Sequence, residues 1–473
     1  MSQISIATTQ VLNSLRENII GIGRESPCLD RPPHPYVYLD NAASTPAFRA
    51  VQEKVDQLLE WYSSVHRGTG IKSLISTRAY DRAHEIVGSF VGADPHADVV
   101  IFGRNTTEAI NTLADIFPFQ PEDIVVTTLM EHHSNDLPWR ARANVIHVGV
   151  DAQGALDMQE LAQTLKQNAG RVRLVTVTGA SNVTGFAPPI HTIAEMAHHA
   201  GALVVVDCAQ LAPHRAIDMR PHGDPAHIDF VAISGHKIYA PYGSGALIGP
   251  RDFFTRVGPS YRGGGTIEIV TVDDVHWADP PERYEAGSPN VIGAVALATS
   301  LQILTGAGMD LVAEHEKTLT TYTLEKMSQI PGLHIFGSAD PQRLDDRLGV
   351  ISFAIEGVHH GLATAVLGFE AGIGVRNGCF CAHPYILQLL GVQDEEYETF
   401  KGEVLDHDRR RVPGLVRVSF GCYNDTGEID YLIEWLRRIQ QGKIQGVYHQ
   451  DRTSGAFYPE DYDAGSLDAY FSI

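Results

Sequence analysis

The sequence predicts an α/β protein in two parts: a large domain on a mostly parallel sheet, then a smaller α+β domain. Three observations carry this. Short β-branched runs alternate with helical patterns through most of the first 300 or so residues. Beyond that point the pattern changes to a long helical stretch, a strand, another helix, a cysteine-bearing loop and a last strand. The residues that follow each early strand are polar, which is where an open parallel sheet gathers its ligand-binding groups.

In chain order the predicted strands are "VVIF" (99–102), "IVVTT" (124–128), "LVTVT" (174–178), "LVVV" (203–206) and "FVAIS" (230–234). Between them lie helical patterns such as "TEAINTLADIF" and "PIHTIAEMAHHAG", the second ending on a glycine suited to a helix C-terminus. The second domain contributes the strands "GVISFAI" and "LVRVSF". The boundaries read as an N-terminal arm over 1–35 that joins the small domain, a large domain over 36–300, a small domain over 301–445 and a tail over 446–473. The charged run 394–414 reads as an exposed loop, and the segment 448–473 as an arm or a disordered tail.

At 473 residues, with 44% hydrophobic residues, the chain is long enough to build two packed cores. Its 36 Lys and Arg against 57 Asp and Glu give a net charge of -21, which opposes binding to nucleic acid or anionic lipid. The start "MSQISIATTQVLNSL" lacks the pattern of a signal peptide, and no stretch has the length of a membrane helix. A cytoplasmic protein is expected, with no nucleic-acid or membrane partner. Five cysteines do not make a disulfide framework.

The strand ends supply chemistry. After 128 comes "LMEHHSN", after 178 "GASN", after 206 "DCAQ" and after 234 "GHK", while 102 leads into "GRNTTEAIN". Thr106 and Thr107 then open a helix whose free N–H groups suit a phosphate. A phosphate cradle, an acid, an amide, a histidine and a lysine in one crevice match the needs of pyridoxal phosphate. In that reading Lys237 holds the cofactor covalently and Asp207 keeps the ring nitrogen protonated.

The motifs "LDNAASTP", "HRGTG", "NTTEAIN", "MEHHSNDLPW", "SNVTG", "VVDCAQ", "ISGHKIYAPYGSGAL", "GGGT", "EAGSPN" and "RNGCFCAHP" occur in this order. Together they resemble those of class V aminotransferase-fold enzymes, and most of all the cysteine desulfurase and selenocysteine lyase group. The resemblance runs from about Leu39 to about Glu434. It implies the pyridoxal-phosphate-dependent transferase fold type I, a homodimer, an amino-acid substrate and a sulfur-acceptor protein. It assigns Lys237 to the cofactor, Asp207 to the pyridine nitrogen, Gln210 and Asn182 to the ring hydroxyl, and His132 to stacking on the ring and to catalysis. Thr106, Thr107, Ser234 and His236 would hold the phosphate, with Ser288 reaching that of the neighbouring subunit. Arg417, Arg376 and Asn41 would meet the substrate, and Cys381 would be the nucleophile that takes sulfur as a persulfide.

Each residue also has a plainer reading. Most lysines are solvated, an Asp at a strand end often only caps a turn, and adjacent histidines can be polar packing. Cys379, Cys381 and His383 fall one short of the four ligands usual for structural zinc, so no metal is expected. Cys28, Cys208 and Cys422 read as buried small hydrophobes. Two departures stand out: Cys379 and Phe380 occupy positions where many relatives carry a histidine pair, and "HRGTG" has Gly70 where a second histidine is usual. Arg376 and His383 are the expected sources of positive charge beside the Cys381 thiolate. The alternatives are another class V enzyme that does not use Cys381 (a C–S lyase, aminotransferase or epimerase) or a non-catalytic sulfur-carrier scaffold.

Overall fold

The computed structural model describes residues 6–340 and 344–473, so the first five residues of the predicted arm lie outside it. The larger sheet has seven strands: β1 (Asp98–Gly103), β2 (Ile124–Thr128), β3 (Asn144–Val148), β4 (Val172–Thr178), β5 (Leu203–Asp207), β6 (Phe230–Ser234) and β7 (Gly245–Pro250). Their order is β1-β7-β6-β5-β4-β2-β3, with β7 antiparallel to both its neighbours and the other pairs parallel. All five predicted strands are present; β3 and β7 are additional. The central runs are β-branched and buried on both faces, as helices covering both sides of a parallel sheet require. Helix α1 (Thr106–Ile116) follows β1, and α2 (Ile190–His199) precedes β5 and buries Ile193, Ala194 and Ala197.

Two helices, Val291–Ala307 and Met309–Met327, meet at Gly308, whose φ of +93° lets the chain turn between them. A second sheet follows. Its strands β8 (Leu333–Phe336), β9 (Val350–Ile355), β10 (Arg376–Gly378) and β11 (Leu415–Ser419) are ordered β8-β9-β11-β10, all antiparallel. The N-terminal segment joins this half, because Val37–Tyr38 pairs in parallel with Ile373–Gly374. Helices α3 (His360–Ala371), α4 (His383–Leu390) and α5 (Asp394–Leu405) flank the cysteine loop.

One expectation fails here, and of the two readings of the tail the structure matches the arm. The segment 394–405 is a helix, not a loop; it buries no side chain, and its first turn carries Asp394, Glu395 and Glu396, which suit the positive end of the helix dipole. The tail is ordered: β12 (Tyr448–Gln450) and β13 (Phe457–Pro459) form a hairpin that sets Phe457 on the His359 ring at the start of α3. That hairpin also grips the preceding loop, with the Arg409 N–H donating to Arg452 O at 2.9 Å and Gln450 Nε2 to Arg410 O at 3.0 Å.

Candidate active site

The carboxyl ends of β2, β4, β5 and β6, the N-terminus of α1 and the cysteine loop converge on one cavity of about 330 Å³. Thr106, Thr107, His132, Asn182, Asp207, Gln210, Ser234, His236, Lys237, Arg376, Cys381 and Arg417 all line it. Most of them follow a strand of the larger sheet, where such groups must converge; Cys381 sits on the loop facing that edge, and Arg376 and Arg417 come from β10 and β11 of the second sheet.

At the β5 end, Asp207 is buried and its Oδ1 accepts the Ala209 N–H at 2.9 Å. Burial pushes its carboxyl upward, opposed by that N–H and by the charge of Lys237. Lys237 lies on the turn after β6, and burial brings its amine down to about 8, helped by Arg417 and Arg376 and opposed by Asp207 and Cys381. A fraction of this amine is therefore neutral and nucleophilic near pH 8. His132 is held near 3, chiefly by burial and then by Lys237, so it is neutral. Its Nδ1 accepts the Ser134 N–H at 3.1 Å, which leaves the proton on Nε2. His236 is likewise lowered, to about 4, by burial and Lys237.

The α1 end of the cavity is built for an anion. Asn105 caps the helix by accepting the Glu108 N–H, and Thr107 Oγ1 bonds Ser134 Oγ at 2.7 Å. Thr106 Oγ1 and Ser234 Oγ are buried with no hydrogen-bond partner, although buried hydroxyls are seldom left unpaired. Gln210 Nε2 donates to Ala42 O at 2.7 Å, turning the N-terminal "LDNAAS" segment into one wall.

On the opposite wall Arg417, 2% exposed, donates through Nη2 to Asp40 Oδ1 at 2.8 Å and through Nη1 to Asn182 O at 2.9 Å. Arg376 Nη1 meets the other oxygen of Asp40 at 3.2 Å. Asp40 thus joins the two arginines, a role the sequence reading missed although "LDNAASTP" contains it. Asn41 departs from expectation. It does not line the cavity; its Nδ2 donates to Ser419 O at 3.0 Å and its Oδ1 accepts from the Tyr423 hydroxyl at 2.9 Å, which fastens the N-terminal turn to β11.

The cysteine loop is a tight turn in which the Ala382 N–H donates to Cys379 O at 2.8 Å. Its two central residues, Phe380 and Cys381, have φ of +51° and +56°, a conformation that side chains with a Cβ resist. Two bonds from the large domain hold it: Asn182 Nδ2 donates to Phe380 O at 2.7 Å and the His133 N–H to Cys381 O at 2.8 Å. The turn leaves the thiols unlike one another. Cys381 is exposed at the cavity, whereas Cys379 is buried, donates its S–H to Pro413 O at 3.1 Å, and is pushed up to about 12 by burial and by Cys381.

His383 does not charge the thiol as expected. Burial lowers it, and its ring stacks on His133 at 4.9 Å; Arg376 remains the cation on that side. Among the described residues no group of His, Cys, Asp and Glu is arranged to hold a metal ion. Cys208 and Cys422 are buried as predicted, while Cys28 is only half-buried. Ser288 lines two other cavities of about 680 and 260 Å³ and not the one described above.

Comparison with known proteins identifies the family. A cysteine desulfurase from Haloferax volcanii is 33% identical over 412 residues, covering 85% of this chain and 88% of the relative. One from Dickeya dadantii is 35% identical over 418 residues, covering 86% and 92%. Among solved structures, the apo cysteine desulfurase of Thermococcus onnurineus superposes with a TM-score of 0.78 at 29% identity, over 91% of this chain and 98% of that one. The model of the family described as aminotransferase class-V matches residues 37–432, a span that takes in every lining residue of the cavity, and the chain belongs to that family.

Proposed function

We propose that this protein is a pyridoxal-phosphate-dependent cysteine desulfurase that converts L-cysteine to L-alanine and takes the sulfur onto Cys381 as a persulfide. The observation that carries this reading is the convergence of Lys237, Asp207, Arg417 and an exposed cysteine thiol on a single cavity. The names of the relatives support the same reaction.

The residues present fit the cofactor. The unpartnered hydroxyls of Thr106 and Ser234, with Thr107 and His236 beside them, suit a phosphate at the start of α1. Asp207 would face the pyridine nitrogen, and Lys237 would hold the cofactor covalently. Bound there, pyridoxal phosphate supplies an electron sink for negative charge developing on the substrate.

The chain's own residues do the rest. Arg417 binds the substrate carboxylate: its Nε is buried without a partner, and only two of its five N–H groups are used by Asp40 and Asn182. Lys237, once free, is the amine placed to move the proton at the substrate α-carbon. Neutral His132 covers the cavity and can pass a proton through Nε2. Cys381 Sγ forms a bond to the substrate sulfur as the carbon–sulfur bond breaks, which leaves persulfide on the protein and alanine as product. Arg376 supplies positive charge on the side from which the thiolate attacks.

The test is a single turnover with L-cysteine followed by mass spectrometry. The added sulfur is expected on Cys381, and Cys381→Ser is expected to lower alanine formation by more than about a hundredfold. Undiminished sulfide release by Cys381→Ser would instead identify a C–S lyase that expels sulfur without a protein thiol.

A further inference from the structure

We infer that Phe380 is a positioning residue that fixes the Arg417 guanidinium for the substrate carboxylate and ties that anchor to the turn bearing the nucleophile. This rests on the reading of Arg417 given above. Phe380 is 7% exposed, and its ring lies under the guanidinium with the Arg417 carbon Cζ 4.7 Å from the ring centroid. An aromatic face attracts a cation and offers it no hydrogen-bond acceptor. The ring therefore holds the guanidinium without competing for its N–H groups, which stay available to other partners.

Those partners form a closed triangle. Arg417 Nη1 donates to Asn182 O, Asn182 Nδ2 donates to Phe380 O, and the Phe380 ring returns to Arg417. Each corner limits the other two. Asp40 occupies one Nη2 hydrogen, while Nε–H remains unpartnered in the buried wall. The triangle also accounts for the backbone at 380. A bulky residue at φ +51° is disfavoured, yet here the strain is held by the bond to its carbonyl and by the seat of its ring. Cys381 follows directly in the same turn, so Phe380 links the carboxylate anchor to the residue that bears the sulfur acceptor, beside the bond from the His133 N–H to Cys381 O. A leucine would fill most of the volume but present no π face. A tyrosine would keep the face.

The experiment uses holoenzyme with L-cysteine as substrate and calorimetric titration with L-alanine as a second, non-catalytic readout. Phe380→Leu is expected to raise KM for L-cysteine and weaken L-alanine binding by about thirtyfold, the scale of a desolvated cation–π contact, with kcat changed less than about twofold. Phe380→Tyr should restore both. Unchanged KM and L-alanine affinity in Phe380→Leu would overturn the inference. So would a fall in kcat alone, which would mean that the ring only shapes the cysteine turn. A wild type that binds L-alanine but makes none from L-cysteine would sink the desulfurase reading. The positioning role would still be decided by the L-alanine affinities of the two variants.

Discussion

Lys237 and the two loop thiols are where single atoms decide the chemistry. Lys237→Ala is expected to abolish the absorbance of lysine-bound cofactor, since among the described residues no other lysine lines the cavity; an unchanged spectrum in that variant would refute the assignment. The amine is lowered to about 8 against 10.5 for an ordinary lysine. Between those values an unfolded chain binds the proton and the folded, cofactor-free chain does not, so this group makes the cofactor-free protein more stable as pH rises from about 8 to 10.5. The thiols differ for a comparable reason. With Cys379 pushed up to about 12 and buried, iodoacetamide at pH 8 should label Cys381 and spare Cys379, as peptide mapping would show. Equal labelling would remove the physical distinction between them. Most of the site was legible because strand-end residues of a parallel sheet must converge, whatever their spacing in sequence. Asn41 was expected at the substrate, but it bonds Ser419 O and the Tyr423 hydroxyl, and only the fold shows that its neighbour Asp40 reaches the arginines.

At the scale of elements, the sheet was readable where a strand carries a continuous β-branched run and obscure elsewhere. Strand β3 is mostly half-exposed and "NVIHV" carries polar residues, while β7, "GALIGP", has two glycines and a proline. Both lack the continuous apolar run that marks a central strand. Helix α5 escaped notice because it buries nothing and so shows no apolar stripe. The two halves of the molecule are joined by a buried carboxylate: Glu316, on the helix Met309–Met327, takes His214 Nδ1 at 2.9 Å and the Gly349 N–H at 2.8 Å, and pairs with Arg215. Those partners, acting against burial, hold its carboxyl down to about 2. A carboxyl lowered on folding contributes stability that is complete above about 4.5 and is lost as pH falls toward 2. Glu316→Gln is therefore expected to cost about 3 kcal/mol at pH 7 and to flatten the acid limb of the stability curve. Thermal unfolding followed from pH 7 to pH 3 reads both; an acid limb as steep as the wild type's would show that the pair is not what titrates.

The whole molecule adds a prediction that no single site makes. Tyr62, Ile267 and Ser288 share the 680 Å³ cavity, and the hairpin that begins at Ile267 exposes Ile269, Val270 and Val272 to solvent. Solvent-exposed apolar side chains of this kind suit a subunit contact. In a homodimer of the kind the family resemblance implies, Ser288 would complete the phosphate site of the partner. Ser288→Ala should then weaken pyridoxal phosphate binding although Ser288 lies outside its own chain's site, and sedimentation should give twice the chain mass. A fully active monomer would refute the arrangement.

The ordered tail has a consequence of another kind. The match to the family ends at residue 432, whereas the hairpin begins at Tyr448 and holds the backbone of Arg409 and Arg410. A few residues on, Val412 O bonds the His360 ring and Pro413 O receives the Cys379 thiol. The last stretch of the chain is thus a peripheral accessory fastened to the back of the reactive turn. The cavity is lined by residues between 42 and 417, so the hairpin braces that turn from outside the residues that form the site.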